Sequence, residues 1–175
     1  MDVSRSPSEG DRRGVQEFDV VSGIPGPIAF NASVHSRPAD ALAGADLKDA
    51  FGAWPTLVVS AVSASTPFAI SADACLERLG SMARTAVEPD GSFVWSRDSD
   101  ANGPAWHVWG TLHERDHAVL FVELRGTCPP DDLDALLAVV GWPHTPLMFQ
   151  LPAAGVFLDE ATFRRRATVE AQSSA

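Results

Sequence analysis

Five consecutive residues, His113-Glu114-Arg115-Asp116-His117, spell the pattern H-E-x-x-H. On a helix, that spacing places two imidazoles one turn apart on a single face. They could share a zinc ion, with the glutamate beside them to activate a bound water. The neighbours of the string argue for a different backbone. Upstream stand Trp106, Val108, Trp109, Gly110 and Thr111, which are poor helix formers. Downstream, Ala118-Val119-Leu120-Phe121-Val122 is apolar all round and would leave a helix without a polar side. A charged stretch between two strand-forming runs is the turn of a β-hairpin, with Glu114 to Asp116 at its tip.

The string resembles the motif of the zincin metalloproteases. That resemblance implies His113 and His117 as metal ligands and Glu114 as general base. It covers five residues of 175, and it departs from the usual pattern by placing the charged Arg115 and Asp116 before the second histidine. No third ligand is marked by spacing, so the expectation is no metal site.

Other reactive groups are few. Cys128 stands just before a helix start, where a thiol can be acidified. Pro129 and Pro130 follow it, however, and offer no N–H groups to a thiolate or an oxyanion. Cys75 falls on the apolar stripe of its own helix and belongs to the core. There is no tyrosine, which excludes a tyrosine acid, and Lys48 is the only lysine. Lys48 is expected on a solvated helix surface. No glycine-rich phosphate loop, nucleophile elbow or paired-cysteine zinc motif is present.

The aromatic residues are more suggestive. Tryptophan occurs at positions 54, 95, 106, 109 and 142. Some of these fill the core or cover helix ends. Trp95, Trp109 and Phe121 are expected to line one sheet face, where any exposed surplus makes a binding patch.

Charge narrows the partners. The formal net charge of −10 opposes nucleic-acid binding and docking on anionic membranes, both of which need clustered Lys and Arg. It favours a protein partner, basic in charge if anything. No run of about 18–20 apolar residues is present to span a bilayer. The first 14 residues lack the apolar segment of a signal peptide, and two cysteines make no disulfide framework. The expected location is the cytoplasm.

The elements that must position these residues can be read along the chain. Residues 1–16 are polar without periodicity and are expected to be a disordered tail. Residues 17–167 are expected to form one α+β domain, and 168–175 a loose C-terminal tail. Residues 23–27 make a turn and 28–34 a short strand. Leu42, Ala45, Leu47, Ala50 and Phe51, followed by Gly52, predict a helix over 40–51. Residues 56–62 predict a buried strand. Ser71 as N-cap and the stripe Ala72, Cys75, Leu76, Leu79, Met82, Ala83, Ala86 predict a helix over 71–87.

Three antiparallel strands follow at 92–97, 106–113 and 118–127. Pro129-Pro130-Asp131-Asp132 opens another helix, with Leu133, Leu136, Leu137 and Val140 as its buried stripe and Gly141 as its stop. Strands are expected at 147–151 and 156–158. A last helix over 159–167 would end on Arg164-Arg165-Arg166, which suit the negative end of its dipole. Trp54-Pro55 and Trp142-Pro143 look like two uses of one stop signal, a glycine-ended helix leading through Trp-Pro into a strand.

The fold class is therefore α+β: an antiparallel sheet of about five strands, with a central three-stranded meander, packed with three to four helices. From residue 71 onward the element order resembles that of small acidic α+β proteins such as bacterial type III secretion chaperones. The leading functional expectation is a non-catalytic protein-interaction module, chaperone-like or adaptor-like, with a homodimer as one form. A small-molecule-binding domain using the aromatic sheet face comes second. A zinc-dependent hydrolase using His113, Glu114 and His117 comes third. An enzyme is less favoured than a binding protein, and the sequence implies no cofactor.

Overall fold

The computed structural model describes residues 26–100 and 103–173. The tail expected at 1–16 lies outside them. The class is α+β, with a large antiparallel sheet and four helices among the described residues. The strands are β1 (Ile28–Ser36), β2 (Leu42–Ala43), β3 (Leu47–Asp49), β4 (Gly52–Trp54) and β5 (Leu57–Val58), and then, after two helices, β6 (Thr85–Val87), β7 (Ser92–Arg97), β8 (Trp106–Arg115), β9 (Ala118–Cys128), β10 (Leu147–Leu151) and β11 (Val156–Asp159). The helices are α1 (Ala61–Ala64), α2 (Ala72–Ser81), α3 (Pro130–Ala138) and α4 (Glu160–Ser173).

Among the described residues, nine strands join in the order β2-β5-β11-β10-β1-β9-β8-β7-β6, and β3 pairs only with β4. The expectation of about five strands was too low. The surplus strands are two- or three-residue edge pieces, too short to show a period of two. The meander β7-β8-β9 forms as expected, with Trp95 opposite Val108 and Thr111 opposite Glu123. Its centre depends on Gly110. A methyl group there would sit 2.2 Å from the Phe93 ring, so only glycine lets that ring lie flat across the neighbouring strand.

Alternation along the strands separates two faces. Ile28, Phe30, Ala32 and Val34 of β1 and Val122, Leu124 and Cys128 of β9 point into the core. The three longer helices cover this side. α2 buries Ala72, Cys75 and Leu79, and α3 buries Leu133, Leu136 and Leu137. From α4, Phe163 stacks on Phe149 at 4.0 Å and meets Phe30 at 6.5 Å. Burying each such side chain contributes about 1.5–3 kcal/mol. Among the described residues, no helix is long and apolar enough to cross a membrane.

Several elements differ from the sequence expectation. Residues 40–51 are not helical but form β2 and the β3–β4 hairpin. The Asp49 carboxylate accepts hydrogen bonds from the Phe51 N–H (2.9 Å) and the Trp54 Nε1–H (3.0 Å), and Arg166 donates to it from α4 (2.8 Å). These bonds, with Gly52 at φ 144°, close a turn where a helix would have run on. Trp54-Pro55 therefore follows a strand and Trp142-Pro143 follows a helix, so the two segments are not one repeated stop signal.

The strand expected at 56–62 shrinks to β5 before Ser60 caps the single turn of α1. α2 is capped by Ser71 as expected, but it ends at Ser81. The β-branched Thr85 and Val87 go instead to β6, opposite Trp95 and Phe93. At the far end, α4 continues to Ser173, where a loose tail was expected from 168. Arg164, Arg165 and Arg166 thus lie in mid-helix. Arg164 pairs with Glu160 and Asp134, and Arg166 with Asp49 and Glu170. These ion pairs tie the helix to α3 and to the β3–β4 hairpin and support its extra turns.

Candidate functional site

Among the described residues, the second face of the sheet carries none of the longer helices. Its centre consists of alternate residues from three long strands: His107, Trp109, Thr111 and His113 from β8, Phe121, Glu123 and Arg125 from β9, and Asn31, Ser33 and His35 from β1. Strand pairing sets them in rows. Val94, Trp109, Arg125 and Asn31 form one row; Ser92, Thr111, Glu123, Ser33 and Gln150 form the next; His113, Phe121, His35 and Met148 form a third.

The first two rows floor an open groove of about 360 Å³, with Pro152 from the β10–β11 turn at its rim. A second hollow of about 410 Å³ shares Asn31 and Pro152 with it and runs on towards Asp49 and Arg166. Trp109 is 42% exposed and its register partner Val94 is 38% exposed. The Arg125 guanidinium lies 5.5 Å from the Trp109 ring centroid, and His107 meets the same ring edge-on at 4.1 Å. The groove therefore offers an apolar aromatic floor, one cation, one carboxylate, two hydroxyls and one amide. Such a set can pair with polar backbone and hold an apolar side chain.

The third row is a ring stack. His113 lies against Phe121 at 4.3 Å, and His35 lies against Phe121 at 5.0 Å and meets Phe157 edge-on at 5.3 Å. The His113 Nε2 is 3.3 Å from the Glu123 carboxylate. His35 is only 6% exposed, and neither ring nitrogen makes a hydrogen bond of normal geometry. The Ala64 backbone and the Gln150 side chain approach it too loosely to offset burial, which lowers its pKa below the ordinary imidazole value.

The sequence candidates fall into place as follows. Trp109 and Phe121 share this face. Trp95 does not: it points into the core, donates from Nε1 to the Ala83 carbonyl (3.1 Å), and packs edge-on against Trp106 at 4.7 Å. The register that sets Trp95 opposite Val108 puts it on the opposite face from Trp109. The H-E-x-x-H string is strand and turn. His113 and Glu114 belong to β8, and the loop is only Asp116-His117, both left-handed at φ 53° and 63° between the paired Arg115 and Ala118. This is the two-residue hairpin turn with positive φ at both centres, so the tip sits later than expected. The His117 carbonyl accepts from the Ala72 N–H at 2.9 Å, which fixes the tip to the start of α2. His113 and His117 are thus not brought onto one helix face. Among the described residues no group of three or more His, Cys, Asp or Glu is placed to hold a metal ion.

The Cys128 thiol is buried, and burial, reinforced by Asp132, pushes its pKa up to about 12. Burial takes Cys75 to about 11. Both remain protonated thiols at neutral pH. Sequence reasoning missed Asn31, Ser33, Thr111, Glu123 and Arg125. The usable signal was parity: Glu123 and Arg125 interrupt an otherwise apolar strand at every second position. Compared with known protein families, with curated proteins and with solved structures, the chain matches none.

Proposed function

We propose that this protein is a non-catalytic protein-interaction module, and that it docks an extended segment of a partner in the groove beside Trp109. The observation that carries this reading is the exposed Trp109–Val94 pair beside an open polar groove, on a sheet face left free of the longer helices. An extended chain needs backbone partners and a few side-chain anchors. Asn31, Ser33 and Thr111 supply the former. Trp109 gives an apolar platform, and Glu123 and Arg125 select opposite charges at neighbouring positions. The net charge of −10 favours a partner that is basic overall, through long-range steering rather than through the groove itself.

A small polar ligand is the second reading, because about 360 Å³ falls within the size range of small-molecule sites. Peptides selected for binding from a random display library separate the two. Selected peptides are expected to lose about tenfold or more in affinity for Trp109→Ala, and those carrying an acidic anchor to lose as much for Arg125→Glu. Peptides that bind both variants as well as wild type would place the docking surface elsewhere. A small molecule retained in native mass spectra of wild type and absent from Trp109→Ala would favour the second reading.

A further inference from the structure

Beside the groove, residues 59–70 cross the free face of the sheet as a strap. The strap leaves β5 next to β11, passes Ala64 over His35, and is fastened at its far end, where the Phe68 N–H donates to the Val119 carbonyl of β9 at 2.8 Å. Its short helix α1 buries no residue. It is held by the Ser60 cap, by a Ser63–Asp40 hydrogen bond and by Phe68, which is buried. Beneath it lie His35 and Met148, both closed off from water.

We propose that His35 is an acid-triggered release for this strap, so that mild acid uncovers the ring stack and extends the docking face. Only this last consequence rests on the function proposed above. A proton on His35 would sit between Phe121 and Phe157 with neither ring nitrogen in a hydrogen bond of normal geometry; the Ala64 backbone and the Gln150 side chain that approach the ring do not offset its burial, and no carboxylate among the described residues lies against it. The groups facing it are few. β9 presents Phe121 and, one pleat on, Glu123, which is beside His113 on β8. β10 presents Met148 and Gln150. β11 presents Phe157 and, across Met148, Asp159, whose carboxylate accepts from the Thr162 N–H. The strap presents the Ala64 backbone. A buried imidazolium must reach water or unfold its surroundings. The least costly route is to displace a strap whose helix buries nothing, because the opposite side of the sheet is the packed core.

The test is amide exchange in residues 60–70 of the isolated protein, without any partner, corrected for intrinsic rates at pH 7.5 and pH 5. Wild type is expected to lose about tenfold or more of its protection in acid while α2 and β9 keep theirs. His35→Phe keeps a stacking ring that cannot take a proton and should hold the strap at both pH values; His35→Met should do the same with a flexible side chain. His113→Ala should respond as wild type does. In wild type, the midpoint of strap release should coincide with the His35 imidazole titration followed by nuclear magnetic resonance. Unchanged protection in acid, equal loss in His35→Phe, or two midpoints that disagree would overturn the proposal. None of these outcomes depends on whether Trp109 docks a peptide.

Discussion

The fate of Glu114 shows how a residue's chemistry depends on its backbone. On a helix it would stand beside two ligands. At the end of β8 it is an exposed carboxylate next to a two-residue turn. We expect Glu114→Gln to change stability by no more than about 0.5 kcal/mol, since an exposed carboxylate near a turn has little to lose. Urea denaturation reads this directly. The catalytic alternative expects one zinc per chain that survives dialysis and is lost in a His113→Ala, His117→Ala double variant. Finding it would reverse the assignment. The pattern itself was plain in the sequence. Its meaning came from the flanking strand formers, which the sequence also supplied.

Among the elements, those with a clear apolar period were the most legible. α2 and α3 have apolar stripes that the sequence marked, and Leu79 and Leu136 are buried in them. Either residue changed to alanine should cost about 2–5 kcal/mol, as deletions in a packed core do. Denaturant midpoints equal to wild type would mean that these helix faces are wrongly assigned. The β3–β4 hairpin was not legible, because Leu42, Ala45, Leu47, Ala50 and Phe51 repeat at helical spacing. What decides that segment is Asp49. Burial tends to raise its pKa, but hydrogen bonds from Trp54 and Phe51 and the Arg166 guanidinium outweigh burial and hold the carboxyl below the usual carboxylate range. Asp49→Ala is expected to cost about 1–3 kcal/mol, because it leaves the Trp54 indole N–H without its acceptor and Arg166 with Glu170 as its remaining ion-pair partner. The loss should appear as faster amide exchange in residues 47–54 and in the middle of α4. Exchange confined to the hairpin would show that α4 does not depend on it.

At the scale of the whole molecule, His35 and Asp49 both contribute to the response to acid. The pKa of His35 is lowered in the folded state, so the native protein resists its protonation. Stability from a neutral His35 is complete above the ordinary imidazole value of 6.5 and declines as pH falls below it. The Asp49 pKa is also lowered, so its contribution is present above the ordinary value of 3.8 and is lost as pH falls through its folded value. Urea midpoints are therefore expected to fall in two stages, the first beginning near pH 6.5 and the second below about pH 4. His35→Phe should remove the first stage only. A midpoint flat from pH 7.5 to pH 5 would contradict the assignment of His35 as buried and neutral.

The sequence by itself determined the α+β class, the central meander, the helix stripes of α2 and α3 and the two-histidine hairpin, because all rest on local periodicity and turn chemistry within some ten residues. Only the tertiary structure decided which tryptophan faces outward. Trp95 and Trp109 are both strand residues, and a shift of one position in the β7–β8 register would set both on the same face. Only the tertiary structure also turned 40–51 into strands, since the Arg166 that helps to hold Asp49 lies more than a hundred residues away along the chain. The free face, its groove and the strap over His35 arise from the lateral order of nine strands, which no local pattern encodes.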